Sequence, residues 1–318
     1  MVDFLVMVNK FLVSTLTVGT IYLLATLGEI IAERSGVVNL GLEGLMEIGA
    51  TVGIIVALLT GSPWIGFLAA MAVAALIASI HAFATVTLKL NQFASGLAIY
   101  IFGLGIGVTL REYARSAYAP LLLKIPEVRL YPIEVPVLKD IPIIGALFSV
   151  NVMVYISIVL CIVLWFILFK TRVGLNIRSV GENPAAADAA GINVFRIRYY
   201  CVIIGGAFAG VAGAYLMLGH TPQIMGAPII LGRGWIAIAL VIFAFWNPIR
   251  ALFGAFLFGG LELAYYWLQS ITTLRSYIPL LVAIPHVTAI VLLTIMSIEA
   301  LRKRIGAPAA LGIPYSRE

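Results

Sequence analysis

Four carboxylates, Glu29, Glu43, Glu47 and Glu262, stand inside stretches that are otherwise almost wholly apolar. On insertion scales an acid or base at the centre of a membrane helix costs roughly 2.5–3.5 kcal/mol, so each is a candidate for a function or a brace. Glu43 and Glu47 are four apart and share one helix face. They also lie near a helix start, where the dipole stabilises anions. One reading places them on a passage for a polar solute; the other makes Glu33, Arg34 and Glu43 a buried ion-pair staple across the 35–40 connection. Arg233 is the matching charge in the second half, open to a carboxylate partner or to a polar solute. Trp235 offers either a stacking face for a flat ring or an interfacial anchor. Asn91, Gln92 and Ser95 put three hydrogen-bonding side chains at another helix start, costly in lipid unless satisfied. Asn91 reads as a cap, Gln92 and Ser95 as pathway lining.

Catalytic chemistry has little to work with. His81, His220 and His286 are isolated in sequence, so no metal cluster or nucleophile–base pair is visible. No Gly-x-x-x-x-Gly-Lys-Ser/Thr phosphate cradle occurs, and an ATP site is therefore missing. Gly103, Gly105 and Gly107, and Gly205, Gly206, Gly210 and Gly213, follow no strand; they read as sites of close helix packing and not as a dinucleotide fingerprint. Cys161 and Cys201 read as small apolar fillers. The net charge of +6 forms no basic stripe with interleaved aromatics, which argues against nucleic acid as a partner.

The elements that position these residues are membrane spans. With 62% hydrophobic and 11% charged residues over 318 positions, the chain cannot surround a water-soluble core with solvated surface. The reading is an all-α polytopic membrane protein of about nine helices, with eight to ten as the range, over 11–32, 41–59, 64–88, 93–110, 151–169, 199–218, 234–246, 251–274 and 277–299. The stretch 220–231, holding Pro222, Gly226 and Pro228, is open to a re-entrant reading. Two spans are short and entered through glycine and a lone charge: Gly41-Leu42-Glu43-Gly44 and Gly232-Arg233-Gly234. Interrupted spans at matching places point to an inverted repeat around a protein-walled cavity. Residues 11–110 form the first repeat, 151–169 a connecting helix and 199–299 the inverted second repeat, in one transmembrane domain over 1–318.

Basic residues set the orientation. Lys170, Arg172, Arg178, Arg196 and Arg198 make 170–198 cytoplasmic, and Arg302, Lys303 and Arg304 put the C-terminal end on the same side. Counting back places the N-terminus outside in a multi-pass cell-membrane protein, with residue 11 onward a retained helix. The 111–150 segment is then an extracellular loop. It mixes five basic with four acidic residues, and Pro120, Pro126, Pro132, Pro136 and Pro142 favour extended or hairpin-like backbone, a docking lip. In the cytoplasmic segment, Asn183 is placed to cap a helix, Pro184 to open it and Gly191 to stop it. Two turns of alanine-rich helix are marginal alone, which suits a knob held by a partner's groove.

Taken together, Glu33-Arg34-Ser35-Gly36-Val37-Val38-Asn39-Leu40-Gly41-Leu42-Glu43-Gly44, Asn91-Gln92-Phe93-Ala94-Ser95-Gly96-Leu97, Gly181-Glu182-Asn183-Pro184 with Ala189-Ala190-Gly191-Ile192, and 232–239 with Trp246-Asn247-Pro248 resemble permease subunits of binding-protein-dependent ABC importers. The similarity covers about residues 17–298 and is closest to the nucleoside or simple-sugar branch of the branched-chain amino acid, ribose and nucleoside group. The resemblance implies an ATP-driven importer. Two permeases, often different chains, sit on ABC ATPase subunits carrying ATP and Mg, and an extracellular lipoprotein or periplasmic binding protein delivers the solute. It makes 183–190 similar to a coupling helix, with Glu182, Asn183, Pro184, Asp188 and Gly191 at the ATPase, and turns 111–150 toward the binding protein. Trp235 then has a nucleobase as its natural flat ring. Glu43, Glu47, Gln92, Ser95, Arg233, Trp235 and Glu262 are the candidate substrate pathway. No catalytic residue, metal or bound cofactor is expected on this chain. The alternatives are a branched-chain amino acid permease, or a secondary transporter coupled to protons or sodium through Glu47 or Glu262.

Overall fold

The computed structural model describes residues 2–117, 124–141, 143–221, 227–268, 280, 283–296 and 306–317. Pro120, Pro142, Pro222, Gly226, the 269–279 part of the last two expected spans and the basic cluster at 302–304 lie outside the described residues. Among those described, the regular elements are all helical. Helix α1 (Val2–Arg34) begins before the expected residue 11. It is followed by α2 (Leu42–Thr60), α3 (Pro63–Ala82), which runs on into a π-helical turn at Phe83–Thr87, and α4 (Gln92–Ala117). After the single turn α5 (Ile125–Val128) come α6 (Val152–Lys170), α7 (Arg172–Glu182), α8 (Pro184–Ala189), α9 (Val194–Tyr215) with a π turn at Leu216–His220, α10 (Arg233–Phe243), α11 (Pro248–Leu268) and α12 (Ile284–Met296).

Among the described residues, six helices are long and apolar enough to cross a membrane: Leu5–Arg34, Leu42–Thr60, Pro63–Thr87, Gln92–Ala117, Val152–Lys170 and Val194–His220. The places of the other three expected spans are taken by α11, of 21 residues, and by the shorter α10 and α12. Helix α7 is an addition. The 170–198 segment was expected to hold one short helix, but Thr171 accepts a hydrogen bond from the Gly174 N–H and starts an amphipathic helix before α8. The proline-rich segment is hairpin-like: the Ile133 N–H donates to the Val150 carbonyl at 2.9 Å and the Val135 N–H to the Phe148 carbonyl at 3.1 Å. Leu130 ties it to the end of α9 through the Leu218 carbonyl.

Packing is organised around α1, α2 and α9. Helix α9 lies along α3 as α1 lies along α11, and α1 and α9 lie against each other. Similarly, α2 packs on α4 as α10 packs on α12. The apolar stretch of α2 is 78% enclosed and that of α4 only 22%, so α2 is central and α4 turns a broad face outward. With lipid on the outside, apolar area gives helices little reason to associate, and close van der Waals approach must do it. Small residues allow this. A Cβ on Gly49 would fall on the backbone of Gly210, and one on Gly213 on the Met46 carbonyl. The two ends of the bundle differ: Arg34, Arg178 and Glu182 gather at one with the 306–317 tail, and the hairpin covers the other.

Gly49→Leu forces a side chain into the α2–α9 contact. Overpacking of this kind costs roughly 1–3 kcal/mol, so the purified variant should melt at a lower temperature in detergent than the parent. An unchanged melting temperature would contradict the packing.

Candidate functional site

The starts of α2 and α10 meet inside the bundle. A Cβ on Gly234 would come within 2.6–2.7 Å of the Glu43 backbone, so only glycine permits the approach. Helix α1 serves as a ruler. Tyr22 donates to the Glu262 carboxylate beside Arg233 at 2.6 Å, Thr26 to the Ala237 carbonyl at 3.3 Å, and Arg34 to the Phe245 and Trp246 carbonyls at 3.1 and 3.0 Å. Helix α10 therefore runs beside α1 toward the arginine-rich end, while α2 runs the other way. Tyr22 lies twelve positions before Arg34, or ~18 Å at 1.5 Å per residue, which places the junction near the middle of the span.

Two unwound connections reach this junction, 35–41 from the arginine-rich end and 227–232 from the hairpin end. The Ser35, Gly36 and Val37 N–H groups bond back to the last turn of α1; beyond them a peptide group in a membrane interior has no water and needs a partner from elsewhere in the protein. In the first, the Val38 N–H donates to Gln92 Oε1 at 2.7 Å and the Asn39 N–H to Glu29 Oε1 at 2.9 Å. Arg198 donates to the Ser35 carbonyl at 3.2 Å. His81 Nε2 lies 3.1 Å from the Val38 carbonyl, and its Nδ1 lies 2.9 Å from the Ser95 hydroxyl. In the second, Glu47 Oε2 accepts from the Ile229 and Ile230 N–H groups at 3.1 and 3.2 Å, and Glu43 Oε1 from Gly232 at 2.8 Å. Gly232 caps α10 at φ +87°, a left-handed conformation that favours glycine.

Charge is balanced in the same place. Arg111 and Glu47, both fully buried, are 2.5 Å apart. The guanidinium also donates to Thr51 and to the Ala227 carbonyl, each at 2.6 Å. Arg233 pairs with Glu262 and donates to the Ile229 and Ile230 carbonyls at 3.2 and 3.0 Å. Glu33 does not form a staple with Arg34 and Glu43: it accepts from the Trp246 indole at 2.5 Å. Phe245 and Trp246 sit at φ +53° and +52°, a strained conformation for aromatic residues, with carbonyls held by Arg34.

The seven pathway candidates thus fall on the two connections, but not alike. Glu43, Glu47 and Gln92 spend their polar atoms on backbone; Ser95 orients His81; Arg233 and Glu262 pair at 14% and 12% exposure. Trp235 alone turns outward, 37% exposed. Its ring meets Tyr100 of α4 edge-on at 5.5 Å and 75°, an aromatic corner over the junction. Arg111, Tyr22, His81 and Arg198 were not among the candidates. Arg111 had been assigned to the outer loop, but α4 continues to Ala117 and buries it. The signal for it was the acid on α2: a carboxylate in an apolar span calls for a cation one helix away.

At the arginine-rich end the 182–191 residues form the short capped helix that the sequence predicts. Glu182 ends α7, Asn183 Oδ1 accepts from Ala186 at 3.0 Å, Pro184 is the first residue of α8, and Gly191 turns the chain at φ +83°. Ala187 packs on Val180 and Val194, while Ala185, Ala186, Ala189 and Ala190 face outward. The Asp188 carboxylate meets the Tyr315 hydroxyl at 3.1 Å and Arg317 Nε at 2.8 Å. Among the described residues no group of His, Cys, Asp and Glu could hold a metal ion.

Removing one partner of a buried ion pair costs roughly 3–5 kcal/mol, whereas an exposed pair is worth ~0–1 kcal/mol. Arg111→Ala should therefore abolish or strongly destabilise the folded protein in a thermal-unfolding assay. Arg115→Ala, which breaks the half-exposed pair with Glu112, should change little. Equal effects would sink the brace.

A family model described as the permease component of branched-chain amino acid transport systems matches residues 11–298. The chain is 39% identical to the guanosine ABC transporter permease of Bacillus subtilis over 95% of each protein. It is 37% identical to a Haloferax volcanii protein provisionally named a glucose ABC transporter permease, over 96% of this chain and 97% of the relative. With the nucleoside ABC transporter permease of Lactococcus lactis it shares 38% identity over 74% of this chain and 75% of the relative. Both Bacillus subtilis and Lactococcus lactis have a second permease of the same description that matches more weakly, at 26% and 30% identity. No solved structure matches the chain. An all-helical bundle with two broken helices meeting at its centre and a family match over nearly its whole length identify one thing: the chain belongs to the branched-chain amino acid transport system permease family.

Proposed function

We propose that this chain is the translocation subunit of an ATP-driven ABC importer that moves a nucleoside or a related simple sugar into the cell. The observation that carries the substrate class is the end-to-end similarity to permeases named for guanosine, nucleosides and glucose. The exposed Trp235–Tyr100 corner supports it, because a flat base or sugar face has an aromatic surface to meet where the two broken helices begin. The pairing of α9 with α3 and of α1 with α11 supports an inverted repeat of 11–110 and 199–299, and α10, α11 and α12 complete a reading of nine spans.

The excess of basic residues in 170–198 makes the arginine-rich end cytoplasmic, with the N-terminus outside and the hairpin toward an extracellular binding protein. ATP and Mg belong to a partner ATPase seated on α8. The paired permeases of the relatives support a second, different permease chain in the complex, facing the outward surface of α4 and the aromatic corner. ATP binding closes the ATPase dimer, α8 follows, and the halves rock about the junction to switch access. Since Glu47 is spent on backbone and Arg111, and Glu262 on Arg233 and Tyr22, coupling to protons or sodium through either has no support.

Calorimetry on the cognate binding protein tests the substrate. Nucleosides or simple sugars should bind and branched-chain amino acids should not; the reverse would remove the substrate class and leave the architecture. In the assembled importer Trp235→Ala should weaken nucleoside uptake about tenfold, the scale of losing a base–aromatic stack, and normal uptake would remove the corner from the pathway.

A further inference from the structure

We propose that the C-terminal tail, 306–317, is a transmission strap that joins the coupling helix to the start of the broken 35–41 connection, with Tyr315 as its positioning residue; this rests on α8 being the coupling helix.

Six residues of helix cannot hold their own conformation in water, and the Ala187 contact with Val180 and Val194 is small. The tail supplies the missing support. Tyr315 packs against Phe195 with ring centroids 5.7 Å apart and donates to Asp188, which Arg317 also engages at 2.8 Å. Asp188 is only 16% exposed, so its carboxylate faces its own chain and leaves the alanine side of α8 for docking. Charge-assisted bonds at such a site are among the stronger ones a side chain makes.

The same tail is fastened to the first residues of the 35–41 connection, at the arginine-rich end. The Gly312 N–H donates to the Gly36 carbonyl at 3.2 Å, and Ala310 to the Gly181 carbonyl at 2.9 Å. Arg198, fully buried on α9, donates to the Ile313 carbonyl at 3.1 Å and to the Ser35 carbonyl at 3.2 Å. Ser35 and Gly36 open the unwound connection that ends at α2. A displacement of α8 thus reaches the start of α2 through hydrogen bonds alone: Asp188 to Tyr315, tail to Arg198 and Gly36, and 35–41 to the junction.

The complete importer, reconstituted with its companion permease, ATPase and binding protein, should be assayed for uptake and ATP hydrolysis together. Tyr315→Ala removes ring and hydroxyl; Tyr315→Phe removes the hydroxyl only. Tyr315→Ala should raise the ATP hydrolysed per solute imported at least about fivefold, as expected on losing a hydrogen bond to a charged group, with the complex still assembled. Tyr315→Phe should fall between it and the parent. An unchanged ratio in the assembled complex, or uptake and hydrolysis falling in parallel with complex abundance, would overturn the strap. A cysteine at Ala186, cross-linked to the ATPase, separates the two levels. Cross-linking in the parent with an unchanged ratio in Tyr315→Ala removes the strap alone, and no cross-linking in the parent removes the coupling-helix reading beneath it.

Discussion

A peptide group in the middle of a membrane has no water to bond, and a chain that unwinds there must supply a partner for every N–H and carbonyl it releases. This single requirement places most of the ionisable residues in the interior. Glu29, Gln92, His81 and Arg198 serve the 35–41 connection; Glu43, Glu47, Arg111 and Arg233 serve 227–232. The charges are in the membrane because the backbone is broken there. Their partners come from α1, α2, α3, α4, α9 and α10, so each break is fixed by helices from both halves of the chain.

The second connection depends on the first helix it meets. Carboxylates from the opening turns of α2 hold the approach to α10, and both helices direct their positive dipole ends at one another. Glu43 lies between them and relieves that repulsion while accepting the Gly232 N–H. At the other end of α10, Arg34 and Glu33 fix the strained Phe245 and Trp246. Helix α10 is thus clamped at its start by α2 and at its finish by α1, which makes α1, α2 and α10 one mechanical unit.

Much of this was legible in the sequence because its physics is local. Apolar run length located six helices long enough to span, and the Asn183-Pro184…Gly191 order gave α8 with its cap, first residue and stop. Glycine beside a lone charge marked both breaks. What stayed illegible was pairing across distance. Whether Glu47 faces solute or Arg111 depends on where α4 lies, and nothing near either residue encodes that. The same holds for Glu33, whose indole partner is more than two hundred positions away. Helix α7 was missed because its eleven residues carry Gly174 and Gly181, poor helix formers that pay off only when packed against Leu168 and Arg34.

The outward side of α8 and its C-cap is made mainly of the methyl groups of Ala185, Ala186, Ala189 and Ala190. A surface without charge or directional donors recognises shape only, and shape complementarity of so small an area discriminates weakly between sockets. If α8 seats in a partner subunit as proposed, selectivity between partners would rest on the exposed polar residues around it, such as Glu182 and Arg196.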